Sequence, residues 1–162
     1  MPHPLPGSVL FCCDHNAVRS PVAEGLMKKL HGEKVFVQSA GVHHDLDVDP
    51  FMVVVAGEID VDISRHRTKS FDEMEEWGDD MASYDMIVAL SPASQRRALE
   101  YTRHLSIEVV YWATLDPTGI GERREQKLDA YRQTRDQILA SIIATFGPGS
   151  GGPDEQDDGL DA

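Results

Sequence analysis

The chain has 162 residues, of which 41% are hydrophobic and 27% charged, a balance typical of one globular domain with a substantial core. Its formal net charge of −13 argues against a nucleic-acid binder and against a protein that binds anionic membranes. The sequence has no candidate membrane span, and residues 1–7 lack the pattern of a secretory signal. We therefore expect a cytoplasmic protein with a flexible segment at 1–7.

The first predicted element is a short apolar strand, Val9 to Phe11, that runs into Cys12 and Cys13. Beyond it, Ser20 and Pro21 suit the N-cap and first position of a helix. Between the two elements, backbone N–H groups and the positive end of the helix dipole can converge on one anion. The predicted phosphate-binding loop consists of Asp14, His15, Asn16, Ala17, Val18, Arg19 and Ser20.

Cys13 and Arg19 are the candidate catalytic residues of this loop, because they are spaced as Cys-x5-Arg. The guanidinium of Arg19 can bind two oxygens of a phosphate at once, which a lysine cannot do. The same positive field favours the thiolate form of Cys13, a nucleophile for a bound phosphorus. Cys12 is one residue out of this spacing. Successive strand residues point to opposite faces, so we expect Cys12 to face away from Cys13.

After Gly32 ends the first helix, a second buried strand is predicted from Val35 to Gln38. Only about a dozen helical residues separate the two strands, which indicates a right-handed crossover between parallel strands. The polar residues at 43–49 invite a metal hypothesis. Their histidines lack the helical i, i+4 spacing, however, and no cysteine is near, so we expect no metal and no cofactor.

Two further strands are predicted, at 84–90 and at 107–111, separated by a helix from Pro92 to His104 with Leu99 facing inward. A long amphipathic helix follows from Glu122 to about Thr145. We predict a three-layer α/β domain over residues 8–146, with four parallel strands and helices on both faces. Residues 147–162 carry five acids and no base, and their glycines and prolines predict a disordered tail.

Asp116 is a candidate general acid, in the loop between the last strand and the long helix. An Asp-Pro pair by itself is more often a plain turn, and the family resemblance given below favours the acid. Pro117 restricts the backbone on both sides of this peptide bond, so the carboxyl group is held on a stiff loop at the carboxyl end of a strand. A carboxylic acid there can protonate the oxygen that leaves phosphorus, which contributes roughly 10²–10⁴-fold in rate.

The segment around Cys13 resembles the signature of the low-molecular-weight protein tyrosine phosphatases and the related arsenate reductases. The matching residues are Asn16, Arg19, Ser20, Pro21, Ala23 and Glu24, then Ser39-Ala40-Gly41, the segment around His66, and Asp116-Pro117. The resemblance implies the strand order 2-1-3-4, with the Cys13 loop at the point where that order reverses. It also implies that Asn16, Ser20, Ser39 and His66 support the loop.

Three positions depart from the family. His15 stands where glycine is usual, Asp14 places a carboxylate at the rim of the anion site, and Thr118 replaces an aromatic residue that the tyrosine phosphatases carry after the Asp-Pro pair. These departures point to a small or unusual phosphorylated substrate, or to a different oxyanion, as much as to a protein that carries phosphotyrosine.

The sequence therefore predicts hydrolysis of phosphomonoesters through a phosphocysteine. One alternative is arsenate reduction with an external small thiol, because no cysteine follows Cys13. Another is a regulatory protein that binds an oxyanion without turnover, since a positive φ at His15 would strain the loop.

Overall fold

A computed structural model describes residues 3–149 of the chain. The strands are β1 (Ser8–Cys13), β2 (Phe36–Gly41), β3 (Met86–Ala89) and β4 (Glu108–Tyr111). The helices are α1 (Arg19–His31), α2 (Pro50–Gly57), α3 (Phe71–Glu76), α4 (Pro92–Leu99) and α5 (Arg124–Phe146). Two 3₁₀ turns lie at Met81–Ser83 and Glu100–Arg103. The predicted disordered tail lies outside the described residues from position 150 on.

The four strands form one parallel sheet in the order β2-β1-β3-β4, which confirms the predicted α/β fold and strand order. β1 therefore lies between two neighbours, with Cys12 opposite both Ala40 and Ala89. The connection from β1 through α1 leads to one side of β1 and the connection into β3 to the other. The carboxyl end of β1 is thus the switch point at which α/β sheets bind ligands.

The alternation along β1 divides the core into two parts. Val9, Phe11 and Cys13 belong to the cluster that β1 shares with α1 and α5, whereas Leu10 and Cys12 pack on the other face with residues of α3 and α4. Cys12 and Cys13 consequently lie on opposite faces of the sheet, as the strand pattern predicts.

The predicted helix from Pro92 to His104 is divided in the structure. α4 ends at Leu99, and a 3₁₀ turn follows it. The prediction that Leu99 faces inward is wrong, because this side chain is 44% exposed and the helix instead buries Ser94 and Ala98. Among the described helices, none combines the length and hydropathy needed to cross a bilayer.

Candidate active site

The Cys13 sulfur lies at the end of β1 against the first turn of α1. Its Sγ is 3.0 Å from the hydroxyl of Ser20 and 3.4 Å from the backbone nitrogen of the same residue. Both groups can donate a hydrogen bond to a thiolate, and the positive end of the α1 dipole acts in the same direction. The surroundings of the sulfur therefore stabilise negative charge.

A cavity of about 340 Å³ opens over this sulfur. Its walls come from the loop at 13–19, from residues 46–50 at the start of α2, and from Asp116 and Thr118. The backbone N–H of Asp49 donates to the carbonyl of Ala17 at 2.9 Å, which joins the first two walls. Val18 also lines the cavity, so each predicted loop residue except Asn16 and Ser20 borders it.

Arg19 connects the sulfur side of the cavity to the acid side. Its side chain is buried, and Nη1 donates to the carbonyl oxygens of Leu90 and Thr114, each at 3.1 Å. Nη2 lies 3.7 Å from Asp14 Oδ2 and 3.9 Å from Asp116 Oδ2. The structure thus brings the three candidate catalytic residues, Cys13, Arg19 and Asp116, to one cavity.

Asn16 is the residue of the loop that adopts a left-handed backbone, with φ 55°. It is fully buried, and its amide group makes contacts that brace the loop from behind. Nδ2 donates to Ser20 Oγ at 2.8 Å and to Ser39 Oγ at 2.9 Å, whereas Oδ1 accepts from the Lys69 backbone N–H at 3.0 Å. The Nε2 atom of His66 also lies 3.0 Å from Oδ1.

The support extends one layer further, to Glu24. Ser39 donates its hydroxyl hydrogen to Glu24 Oε1 at 2.5 Å. Burial lowers the pKa of His66, so near neutral pH its ring is mostly neutral and Nε2–H can serve as the donor to Asn16. Glu24 matches the family signature, but its contact with Ser39 is visible only in three dimensions.

His15 does not have a positive φ in this structure; the left-handed residue is its neighbour Asn16. The His15 ring instead turns outward, with Nδ1 2.7 Å from Asp45 Oδ1. Asp14, the other unusual residue of the loop, has its Oδ1 atom buried without a hydrogen-bond partner among the described residues. Because His15 has no positive φ, the backbone strain expected from a histidine at position 15 is absent.

The loop that carries Asp116 is held by α5. The Leu115 backbone N–H donates to Gln137 Oε1 at 3.0 Å, and Gln137 Nε2 donates to the carbonyl of Ala113 at 3.2 Å. Thr134 donates its hydroxyl hydrogen to the carbonyl of Leu115 at 3.0 Å. The sequence does not predict these supports. The one signal available was a threonine, Thr134, within the apolar stripe of the long helix.

The chain is similar to known proteins in both sequence and structure. A family model described as low molecular weight phosphotyrosine protein phosphatase matches residues 8–144. The chain is 29% identical over 131 residues to an arsenate reductase of Oceanobacillus iheyensis, covering 80% of this chain and 88% of that relative.

Two solved structures are also similar. One is an arsenate reductase in the phosphate binding state, with a TM-score of 0.67, 26% identity, and coverage of 83% of this chain and 92% of the other. The second is a low molecular weight protein tyrosine phosphatase from T. tengcongensis, with a TM-score of 0.66, 26% identity, and coverage of 85% and 95%.

Proposed function

Because this chain belongs to the low molecular weight phosphotyrosine protein phosphatase family, we propose that it hydrolyses phosphomonoesters through a phosphocysteine intermediate. The observation that carries the proposal is the position of Cys13. Its sulfur contacts the Ser20 hydroxyl and amide, and it borders the same cavity as Arg19 and Asp116.

In the first step, the Cys13 thiolate attacks the bound phosphorus. A sulfur–phosphorus bond forms, the bond to the ester oxygen breaks, and Asp116 transfers its proton to that oxygen. Arg19 and the loop N–H groups bind the phosphoryl oxygens, where negative charge is concentrated in the transition state. Because Nη1 of Arg19 donates to backbone carbonyls, Nε and Nη2 of the planar guanidinium are the donors available to the phosphate.

In the second step, Asp116 is a carboxylate and takes a proton from a water molecule as the water oxygen bonds to phosphorus. The sulfur–phosphorus bond breaks, inorganic phosphate is released, and the sulfur leaves as a thiolate. Ser20 stabilises this leaving group by donating from both its hydroxyl and its backbone nitrogen. The positive charge that this chemistry needs comes from Arg19 and the loop amides.

The test is turnover of p-nitrophenyl phosphate with EDTA present. We expect Cys13→Ser to abolish it. Cys12→Ser, which changes the neighbouring cysteine on the opposite face of the sheet, should keep most of the wild-type rate. Asp116→Asn should lose roughly 10²–10⁴-fold in kcat on phenyl phosphate, whose phenoxide needs the proton, and less on p-nitrophenyl phosphate, whose nitrophenolate leaves more readily without it. Turnover that survives in Cys13→Ser would refute the nucleophile assignment.

Arsenate reduction is the second candidate, favoured by the arsenate reductase relatives. The chain holds two cysteines, and Cys12 is fully buried on the other side of β1, where burial raises its pKa. The Cys13 thiol would displace water from arsenate and form a sulfur–arsenic bond. An external thiol would then attack the sulfur, and the sulfur–arsenic bond would break with its electron pair left on arsenic. As(V) becomes As(III), while Cys13 and the thiol are oxidised to a mixed disulfide.

The two candidates separate in one experiment. Wild type is incubated with arsenate and glutathione, and arsenite is measured beside phosphate release from the aryl ester. Turnover of the ester without arsenite supports the phosphatase, whereas arsenite without ester turnover supports the reductase. Binding of vanadate with neither product would instead favour a protein that binds oxyanions without turnover.

We propose no special preference for phosphotyrosine. The side of the cavity next to the Asp116 turn presents Thr118, and Leu46 and Pro50 form part of the opposite wall. No Phe, Tyr or Trp side chain lines this cavity among the described residues. In a panel of phosphopeptides, kcat/KM for phosphotyrosine should therefore not exceed the value for simple aryl phosphates by more than about tenfold.

A further inference from the structure

A second charged cleft lies behind the phosphate-binding loop. It has a volume of about 340 Å³ and is formed by the α1 residues from Pro21 to Lys28 and by residues 62–69. It shares no lining residue with the Cys13 cavity. Its bases are Lys28, Arg65, Arg67 and Lys69, and its acids are Glu24 and Asp62. This is a positive cleft on a chain whose net charge is −13.

Both acids of the cleft are already bound to other groups. Glu24 Oε1 accepts from Ser39, and Oε2 is 2.5 Å from Lys28 Nζ. Asp62 Oδ1 accepts from the backbone nitrogen and the hydroxyl of Ser64, at 2.9 and 2.6 Å. The carboxylates of the cleft are therefore occupied by partners other than its arginines.

The remaining bases have no such partners. Within residues 3–149, no carboxylate lies at ion-pair distance from Arg65, Arg67 or Lys69. Burial lowers the pKa of Lys69; the charge of Glu24 opposes this shift, that of Lys28 adds to it, and that of Asp79 opposes it more weakly. Lys69 is partly buried, whereas Arg65 and Arg67 are exposed. Like charges held close together are unfavourable, and a bound anion would compensate them.

We propose that this cleft is a second anion site, which binds a small polyanion of the phosphate class through Arg65, Arg67 and Lys69. Two guanidinium groups offer paired donors that match phosphate oxygens, and a lysine adds a point charge. The volume of the cleft is within the range of small-ligand sites. Inorganic diphosphate, with two charged phosphate groups, is the simplest probe.

The cleft is in direct contact with residues that support the phosphate-binding loop. His66, whose side chain is 9% exposed, lines the cleft and contacts Asn16 Oδ1 at 3.0 Å. The Lys69 backbone donates to the same oxygen. An anion held by Lys69 and its neighbours should therefore alter the position of Asn16 and, through it, Ser20. This consequence rests on the proposed phosphatase function, but the binding itself does not.

The binding test is calorimetric titration of the full chain with diphosphate at low salt. We expect one binding event at the Cys13 loop, which vanadate displaces, and another that vanadate leaves intact. The variant Arg65→Ser/Arg67→Ser should weaken the vanadate-insensitive event about tenfold or more. The control Arg96→Ser/Arg103→Ser removes two exposed charges near the end of α4 and should leave both events unchanged.

Three outcomes would overturn the proposal. They are the absence of a vanadate-insensitive event, its persistence in Arg65→Ser/Arg67→Ser, and equal weakening by the control pair. A fourth outcome concerns the acidic tail. It is tested in a full-chain variant with the substitutions Asp154→Asn, Glu155→Gln, Asp157→Asn, Asp158→Asn and Asp161→Asn. If diphosphate binds the cleft only in that variant, the acidic tail is the occupant and the proposal fails.

The coupling is measured as aryl phosphate kinetics with and without diphosphate. Competition at the Cys13 loop raises KM in wild type and in Arg65→Ser/Arg67→Ser alike. A change in kcat that occurs in wild type and not in the double variant supports coupling, and identical kcat responses contradict it. An absence of any turnover would refute the proposed phosphatase while leaving the calorimetric result intact.

Discussion

Asn16 does two things that few residues can combine. It adopts a left-handed backbone, which asparagine tolerates better than most residues, and its buried amide joins the loop to Ser39, His66 and the Lys69 backbone. In this chain the conformational demand of the loop is met at Asn16, so the neighbouring position can hold a histidine.

Two substitutions of Asn16 should separate these properties. Asn16→Gly keeps the backbone freedom and loses the amide, so it should lower kcat on aryl phosphate about tenfold or more because Ser20 is no longer oriented. Asn16→Ala loses both the backbone freedom and the amide. Its free energy of unfolding, measured by urea denaturation, should be lower than that of the glycine variant by about 1 kcal/mol. Equal stabilities of the two variants would show that φ at this position carries no cost.

His66 should make the folded state sensitive to mild acid. Burial lowers its pKa below the ordinary value of ~6.5, so the folded chain binds fewer protons than the unfolded one. Stability from this group is present above ~6.5 and is lost as pH falls from there toward the lowered pKa. Glu24 opposes the shift, while Lys69 and Lys28 reinforce it.

The measurement is urea unfolding at pH about 7.5 and about 5.5, on either side of the ordinary histidine pKa. Wild type should lose more stability over this interval than His66→Gln, whose amide can still donate to Asn16. His104→Gln, at an exposed histidine, is the matched control and should behave like wild type. If His66→Gln and wild type lose the same amount, the assigned cause is wrong.

At the scale of elements, helix α5 supports the loop that carries Asp116. Gln137 bonds to the loop on both sides of Thr114, accepting from the N–H of Leu115 and donating to the carbonyl of Ala113. Because Asp116 follows Leu115 in the chain, these bonds to α5 also determine where its carboxyl group lies. Sequence periodicity assigns α5 to the core, but it does not assign it this role.

Removing this support should affect the chemical step more than binding. We expect Gln137→Ala to lower kcat about tenfold with little change in KM, because a small displacement of the acid weakens proton transfer. Gln133→Ala, on an exposed position of the same helix, should leave both constants unchanged. The difference should shrink with a leaving group that needs no proton, and a uniform loss across leaving groups would contradict the explanation.

β1 places the two cysteines on opposite sheet faces, so they cannot protect each other by forming a disulfide. Val18, beside Arg19, is also unable to supply a protecting thiol. We therefore expect peroxide to oxidise Cys13 beyond the sulfenic acid, with little activity recovered by dithiothreitol. Val18→Cys should recover more. Mass spectrometry that finds a Cys12–Cys13 disulfide in wild type would overturn this prediction.

At the scale of the whole molecule, negative charge surrounds an anion site. The net charge is −13, and Asp14, Asp47, Asp49 and Asp116 border the Cys13 cavity beside a single arginine. Such a field slows the approach of dianions and is screened by salt. The loop provides local attraction, whereas the molecule as a whole provides repulsion at longer range.

Raising ionic strength from about 0.01 to about 0.1 M should therefore raise kcat/KM for p-nitrophenyl phosphate, since the Debye length falls from ~30 to ~10 Å. A phosphomonoester whose leaving group carries an ammonium should respond less or in the opposite sense. The double variant Asp47→Asn/Asp49→Asn should reduce the salt response of the dianion. Because Asp49 also caps α2, Asp47→Asn alone serves as the control for folding.

Several features of this protein are determined by short stretches of sequence. The alternation of a strand separates Cys12 from Cys13, and the spacing from Cys13 to Arg19 with Ser20 and Pro21 after it specifies an anion loop at a helix start. These features depend on chain geometry over a few residues. The strand order followed from the family resemblance rather than from the pattern of residues itself.

Other features exist only because distant segments meet. Four such features join residues that lie far apart in the chain. They are the approach of Arg19 to Asp116, the hydrogen bonds from α5 to the loop that carries Asp116, the bond from the Lys69 N–H to Asn16, and the cleft between α1 and residues 62–69. No local pattern encodes such a contact, because each member satisfies its own helix or loop equally well without it. Only the packing of helices on both faces of one parallel sheet decides which of them touch.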